Sequence, residues 1–288
     1  EQPRMCRAGE LSARLCAMTD ASATVSSVEV STVRSAPKTA TAVGWAVATK
    51  GAVPRQLGLS RAALEANGFE GKAGQVLAVP ASDGLTVAIG IGDPGSIDVG
   101  GLRSAAAAFA RASSKHAHLA TNLADVDGVD AKAAAQAVTE GVLLASYRYT
   151  GLKNEPSNAS RLESLALIAG DKRSKEVGRG AERGTIVSSA AAFARELANT
   201  PPTYLNAKDL AGKAVDIGSA AGLHVEVFNK DQLEQMGCGG LLGVNRGSTE
   251  PPRMVKLTWS PRNATGHLAF VGQGIIYDSG CTAAKGHD

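Results

Sequence analysis

The 288-residue chain is poor in several kinds of residue, and each shortage excludes a class of protein. Aromatic residues make up only 4%, so the core has to be built from small and β-branched side chains. No apolar run approaches the roughly 18 residues of a membrane helix, so none is predicted. The cysteines are too few for a disulfide scaffold and lack the spacing of a zinc site; they are Cys6, Cys16, Cys238 and Cys281.

The chain also lacks a strong excess of either charge. It has 30 Lys and Arg against 27 Asp and Glu, a net charge of +3, which does not indicate a nucleic acid or an acidic surface as partner. The first 16 residues carry charges throughout and no apolar core of about 7–15 residues. We therefore expect no signal peptide, and a cytoplasmic protein. A chain of this length, with 44% apolar residues, is typical of a globular protein with room for two domains.

From about residue 25, strand patterns alternate with helix patterns. The strand candidates of the first half are 25–33, 86–92, 116–123 and 161–170. A helix is predicted over 101–113, and another over 130–150, where the apolar residues recur on one helical face. This alternation predicts an α/β fold with a mixed, largely parallel sheet.

A second unit is expected after the segment 171–184, which holds five basic residues, three acidic residues and three glycines. Its helix from 186 must end near Asn199, because two prolines follow. Another helix over 206–221 is capped by Asn206. Further candidates are a strand at 223–228, a short helix at 230–237, and strands at 241–247, 254–259 and 268–278.

Two motifs of the first unit have a functional and a structural interpretation. GIGDPG (90–95) fits the dinucleotide pattern G-x-G-x-x-G, but Pro94 and the residues after it delay the helix that this fingerprint needs. A plain turn at a strand end is the favoured interpretation. His116 and His118 share one face of a strand and could seed a metal site, although no ligand partner lies near them in sequence.

Asp278 is the sharpest candidate for a functional residue. It follows an apolar strand pattern and precedes Ser279 and Gly280, at the position where α/β sheets bind ligands. Lys285 comes seven residues later. A carboxylate for a cation and a lysine for developing negative charge are the minimum of metal-assisted hydrolysis.

Four segments, in this order along the chain, resemble one family. They are TEGVLLASYRYTGLK (139–153), RELANTPPTYLNAKDLA (195–211), MGCGGLLGVNRGSTEPPRMVKLTW (236–259) and VGQGIIYDSG (271–280). Together they resemble the leucyl (cytosol) aminopeptidases, the M17 metallopeptidases. The resemblance implies an N-terminal α/β domain at 18–172, a linker at 173–184 and the start of a catalytic domain at 185–288. Residues 1–17 are interpreted as a non-native or disordered tail.

The resemblance also implies an activity, the release of N-terminal amino acids of the leucine type from peptides. In the family two divalent cations, Mn²⁺ or Zn²⁺, bind the substrate and activate a water, and an arginine holds a bicarbonate that acts as general base. The family assembles as homo-hexamers through its catalytic domains.

Few of the family's site residues can be carried over to this sequence. Asp278 matches a metal-bridging aspartate, Lys285 falls at the offset of the catalytic lysine, and Gln273 stands where a lysine ligand is usual. Cys281 replaces a glycine of the turn and Gly286 replaces a common proline. The remaining ligands, two aspartates and a glutamate, and the arginine would lie beyond residue 288.

We therefore expect an aminopeptidase interrupted early in its catalytic domain and inactive as it stands, without the family's hexamer. Reading-frame damage at both ends and a real shortened gene product are equally compatible with the sequence. The alternative functions are a non-catalytic α/β module that binds a nucleotide, a nucleic acid or partner subunits, and a dinucleotide enzyme that uses GIGDPG.

Overall fold

The computed structural model describes residues 28–81, 84–152 and 161–276. The chain divides into two compact units, Glu1–Ala194 (unit 1) and Arg195–Asp288 (unit 2). The tail expected at 1–17 lies outside the described residues. Within the described ranges, no helix is long and apolar enough to cross a membrane.

Unit 1 is built on one six-stranded sheet. Its strands are β1 (Glu29–Val33), β2 (Ala42–Ala48), β3 (Val76–Ala81), β4 (Gly84–Gly92), β5 (His118–Thr121) and β6 (Ser164–Ile168). Their spatial order is β1-β6-β5-β2-β4-β3. Neighbouring strands are parallel except for β3, which pairs antiparallel with β4 at one edge. The predicted mixed, largely parallel α/β sheet is confirmed.

Among the described residues, four helices belong to unit 1 or begin in it: α1 (Arg61–Ala66), α2 (Val99–Ala112), α3 (Ala131–Ser146) and α4 (Asp171–Asn199). Apolar side chains cover both faces of the sheet. Successive residues of a strand point to opposite faces, so one strand contributes to both. In β4, Val87 and Ile89 lie in one apolar cluster with residues of α2 and α3, whereas Ala88 lies in the other with Leu64 of α1.

Small residues let the helices of unit 1 approach closely. A Cβ atom at Gly141 of α3 would collide with the carbonyl oxygen of Arg103 in α2. A Cβ atom at Gly180 of α4 would collide in the same way with the carbonyl oxygen of Lys132 in α3. The abundant alanine and glycine of the sequence thus serve helix packing.

The linker predicted at 173–184 is instead the first half of α4. Val177 and Ala181 are buried in this segment, and Gly180 and Gly184 contact α3. The glycines that indicated a flexible linker are packing positions in a long helix, and the boundary between the units falls further along, between Ala194 and Arg195.

Unit 2 holds α5 (Ala207–Ala220), β7 (His224–Phe228), α6 (Lys230–Gln235), α7 (Gly239–Val244) and β8 (Met254–Thr258). Strands β7 and β8 form a two-stranded antiparallel sheet. The predicted cap of α5 is confirmed, since Asn206 Oδ1 accepts hydrogen bonds from the backbone N–H groups of Lys208 and Asp209.

Two strand predictions in unit 2 were wrong. Residues 241–247 form α7 and a 3-10 turn, Asn245–Gly247; a short apolar run does not by itself distinguish a strand from a helix. The run at 268–278 forms no strand over its described part, 268–276. A strand needs a neighbour for its backbone groups, and the structure gives this segment none.

Candidate functional site

The segment that resembles a metal site is only partly described. Gln273 lies within the described residues and is exposed, whereas Asp278, Lys285, Cys281 and Gly286 lie outside them. Around Gln273 the backbone turns tightly, since the N–H of Ile275 donates to the carbonyl oxygen of Gln273 at 3.1 Å. The structure therefore gives no geometry for the three predicted site residues as a group.

The donor set in the described part of the chain does not fit a two-cation centre. Over 28–81, 84–152 and 161–276, no group of three or more His, Cys, Asp or Glu side chains could hold a metal ion. Gln273 offers a single amide oxygen, and one neutral oxygen cannot balance the charge of two divalent cations. Any such centre needs carboxylates from outside this part of the chain.

In the GIGDPG turn, a backbone N–H group is already hydrogen-bonded within the turn itself. Asp93 Oδ1 accepts a hydrogen bond from the N–H of Gly95 at 2.9 Å, inside a 3-10 turn at Pro94–Ser96. The following helix α2 begins only at Val99 and is capped by Asp98, whose carboxylate accepts from the N–H of Gly101 at 2.6 Å. A carboxylate already holds the position where a dinucleotide phosphate would bind. The turn therefore has the features of a strand end and lacks those of a cofactor loop.

The ring of His118 lies near two residues that are distant from it in sequence. Its Nδ1 lies 3.0 Å from Ser164 Oγ on the neighbouring strand β6, and its Nε2 lies 3.8 Å from Glu163 Oε2. His116 donates its backbone N–H to the carbonyl oxygen of Ser113. These residues lie at the amino ends of β5 and β6, whereas parallel sheets bind ligands at the carboxyl ends. The histidine pair therefore fits the structural interpretation.

Two buried or half-buried ionic groups were also missed by sequence reasoning. Glu140, which is buried in α3, accepts hydrogen bonds from Arg103 Nε and Gln136 Nε2, each at 2.8 Å. Asp125 accepts from the N–H of Gly170 and lies 3.2 Å from Arg173 Nε. Both acids are fully used in joining elements of unit 1. Arg103 is 37 residues from Glu140 and Gly170 is 45 residues from Asp125, so no local pattern could indicate these two contacts.

The helix ends before the double proline, as predicted, and hydrogen bonds close the corner on both sides. Helix α4 ends at Asn199, and the hydroxyl of Thr200 donates to the carbonyl oxygen of Glu196 at 2.7 Å. Beyond Pro201, the N–H groups of Tyr204 and Leu205 both donate to its carbonyl oxygen. The corner leads directly into the capping box of α5, formed by Asn206 and Asp209.

Unit 1 has a mixed sheet with its own core, and unit 2 has a second, smaller sheet with helices. The chain is therefore a two-domain α/β protein. The model of the cytosol aminopeptidase family's N-terminal domain matches residues 47–156, and that of its catalytic domain matches residues 192–288. The chain belongs to this family, peptidase family M17.

Similar proteins carry the same family name. A probable cytosol aminopeptidase of Corynebacterium diphtheriae is 34% identical over 227 residues, which are 77% of this chain and 44% of the relative. One of Streptomyces avermitilis is 37% identical over 245 residues, 79% of this chain and 47% of the relative. The chain therefore spans less than half the length of these relatives.

Solved structures share the fold. The bottromycin maturation enzyme BotP in complex with Mn has a TM-score of 0.66 at 32% identity, over 78% of this chain and 46% of that one. A mutant of tomato leucine aminopeptidase has a TM-score of 0.69 at 24% identity, over 79% of this chain and 50% of that one.

Proposed function

We propose that this chain provides the N-terminal domain and the first part of the catalytic domain of a metal-dependent aminopeptidase. The enzyme would act in the cytoplasm on peptides and remove N-terminal amino acids of the leucine type. One observation carries the proposal: both domain models of one peptidase family match in the family's order, the first within unit 1 and the second from residue 192, close to the start of unit 2.

The two units would contribute differently to this activity. Unit 1 has a packed core, and its acids Asp125 and Glu140 make structural contacts. Unit 2 carries the three candidate site residues. In the proposed site Asp278 binds a cation, Lys285 stabilises developing negative charge, and Gln273 offers an amide oxygen. That oxygen suits a hard cation such as Mn²⁺ better than Zn²⁺, which prefers nitrogen and sulfur.

One carboxylate cannot hold two cations, so the chain needs further ligands for activity. Relatives that carry the family name are more than twice as long as the region that they share with this chain. We propose that the missing acids, and the arginine that would hold a bicarbonate, belong to that additional part. Assembly as a homo-hexamer would likewise depend on it.

The test is a chimera that joins residues 1–288 to the part of the Streptomyces avermitilis relative that follows its aligned region. We expect the 288-residue chain alone to leave a leucyl anilide intact with Mn²⁺ or Zn²⁺, and the chimera to hydrolyse it. Asp278→Asn should lower the metal content of the chimera. Lys285→Met should keep the metal but reduce kcat by about 10²-fold or more, as for loss of one transition-state donor.

Gln273→Lys in the chimera tests whether the glutamine at this position weakens the metal site. A lysine amine is a nitrogen donor, so the variant should bind Zn²⁺ more tightly than the unmodified chimera does, measured by metal titration. A folded chimera that hydrolyses no substrate with either cation, with Gln273 or with lysine at that position, would overturn the proposed function.

A further inference from the structure

The outer side of α4 carries a row of cations that is unfavourable for the helix itself. Lys175, Arg179 and Arg183 follow one another at intervals of four residues, so their side chains lie on one side of the helix. All three residues are exposed. Because like charges at this spacing destabilise a helix, an anionic partner bound along the row would relieve their repulsion.

Two cations of this row line a shallow groove of unit 1 beside α3. The groove has a volume of about 380 Å³. Its lining residues are Lys132 of α3 and, from α4, Arg179, Glu182, Arg183, Ile186 and Val187. Arg179 Nη1 lies 2.7 Å from Glu176 Oε1. Within the described ranges neither Lys132 nor Arg183 has an ion pair, so both cations are available to a ligand.

Two apolar side chains continue the groove along α4. Ile186 is 36% exposed and Val187 is 39% exposed. In the described part of unit 1, the other large apolar side chains with this degree of exposure are Val76 and Leu152, and neither of them lines the groove. Cations beside a pair of exposed aliphatic side chains favour a ligand that has both anionic and apolar groups.

The α4 side of the groove belongs to a part of the chain that neither family model covers. The N-terminal model matches 47–156 and the catalytic model matches 192–288, whereas the α4 residues of the groove fall within 179–187. The candidate metal site, from Gln273 onwards, lies in the second matched region. Binding in the groove therefore does not rest on the proposed aminopeptidase activity.

The lining of the groove distinguishes between possible macromolecular occupants. A nucleic acid presents a row of phosphates, which the Glu182 carboxylate repels and for which the aliphatic side chains offer no polar contact. A second copy docked by a two-fold axis would bring the same cations against one another. An acidic peptide can pair its carboxylates with Lys132 and Arg183 and pack its apolar side chains on Ile186 and Val187. Its N–H groups can donate to Glu182.

We propose that the groove between α3 and α4 is a docking site for an acidic, partly apolar peptide segment of a partner protein. Carboxylates of the segment pair with Lys132 and Arg183, and aliphatic side chains next to them cover Ile186 and Val187. Because the charged groups of the groove are exposed, the affinity should fall as salt is added.

The test is a fluorescence-anisotropy titration of the 288-residue chain with a fluorescein-labelled peptide in which glutamate and leucine recur at helical spacing. Lys132→Glu combined with Arg183→Glu should weaken binding by about tenfold or more, because two attractions become repulsions. Ile186→Gln should weaken it by about threefold or more through lost apolar burial. The control combines Lys38→Glu with Arg55→Glu. It changes the net charge equally, at exposed residues of segments that pack on the other face of the sheet.

Circular dichroism should show that each variant keeps the helix content of the unmodified chain, since the substituted charges are exposed. The unmodified chain should bind the glutamate peptide at least about tenfold more tightly than a peptide with glutamine in place of glutamate. Equal affinities for the two peptides would overturn the proposal. Equal affinities of the unmodified chain and the Lys132 and Arg183 double variant for the glutamate peptide would also overturn it.

Two further measurements identify the other occupants. A single-stranded DNA oligonucleotide that binds more tightly than the glutamate peptide, and equally well to the Ile186→Gln variant, would make nucleic acid the occupant and overturn the proposal. Self-association of the chain in sedimentation velocity that disappears in the Lys132 and Arg183 double variant would make a second copy the occupant, with the same consequence.

Discussion

The pKa of Glu226 is set mainly by one neighbour across the small sheet of unit 2. The Lys256 ammonium donates a hydrogen bond to the carboxylate and adds its charge, and His224 contributes more weakly; together these lower the pKa of Glu226 below its ordinary value. A lowered pKa means that the contact stabilises the fold above the ordinary pKa of a glutamate. This contribution is lost as the pH falls through the folded-state pKa.

Removal of the lysine should therefore raise the pKa of Glu226. We expect Lys256→Met to return it towards the ordinary value, as followed by the side-chain carboxyl ¹³C shift during a pH titration. Lys230→Met is the control, because Lys230 faces Glu234 in α6 at 3.8 Å and does not contact Glu226. Superimposable titration curves for Glu226 in the Lys256→Met variant and the unmodified chain would contradict the assignment. The effect on overall stability should be small, since both side chains are substantially exposed.

Single residues were predictable where their role is local. Asn206 was predicted as a helix cap, and its side chain bonds within three residues of itself. The strand position of His118 was predicted, but its partner Ser164 was not, because Ser164 is 46 residues away and comes close only through strand pairing. The functional assignment of Asp278 and Lys285 remains a prediction from the sequence and the family resemblance.

At the scale of elements, α4 shows how glycine can be misread. Its first half has the charge and glycine content of a linker, yet Gly180 and Gly184 lie against α3, and Val177 and Ala181 are buried in the core. Sequence alone could not distinguish the two, because a helix that is polar on most sides gives little hydrophobic periodicity. The strands of unit 1 that were predicted were placed well, since their apolar runs are bounded by glycine, proline or charge.

Gly180 provides a direct test of this packing. Gly180→Ala should destabilise unit 1 by about 1–3 kcal/mol, because the new methyl group meets backbone atoms of α3 that cannot turn aside. Gly178→Ala, two residues earlier in the same helix, is the matched control. Its Cβ would meet nothing closer than Thr32 Oγ1 at 3.8 Å, so helix propensity should make this variant about 0.5–1 kcal/mol more stable. Urea denaturation followed by circular dichroism measures both, and equal effects of the two substitutions would refute the close approach of α3 and α4.

At the scale of the whole molecule, the strands of the two units sit in very different surroundings. In unit 1, β4 and β5 are interior strands of a six-stranded sheet, with apolar clusters on both faces. In unit 2, β7 and β8 form a two-stranded sheet with one apolar face covered by α5. An isolated pair of strands is marginally stable in water, whereas a domain with a full core is stable by about 5–15 kcal/mol.

Native-state hydrogen exchange of the 288-residue chain should therefore separate the two sheets. We expect the amides of β4 and β5 to be protected about a thousandfold or more over those of β7 and β8, which corresponds to a difference of about 4 kcal/mol in opening free energy. Leu143→Ala, at a fully buried site in α3, should lower the protection in β4 and β5 by about 2–5 kcal/mol. Equal protection of the two sheets in the unmodified chain would mean that unit 2 has a core as stable as that of unit 1.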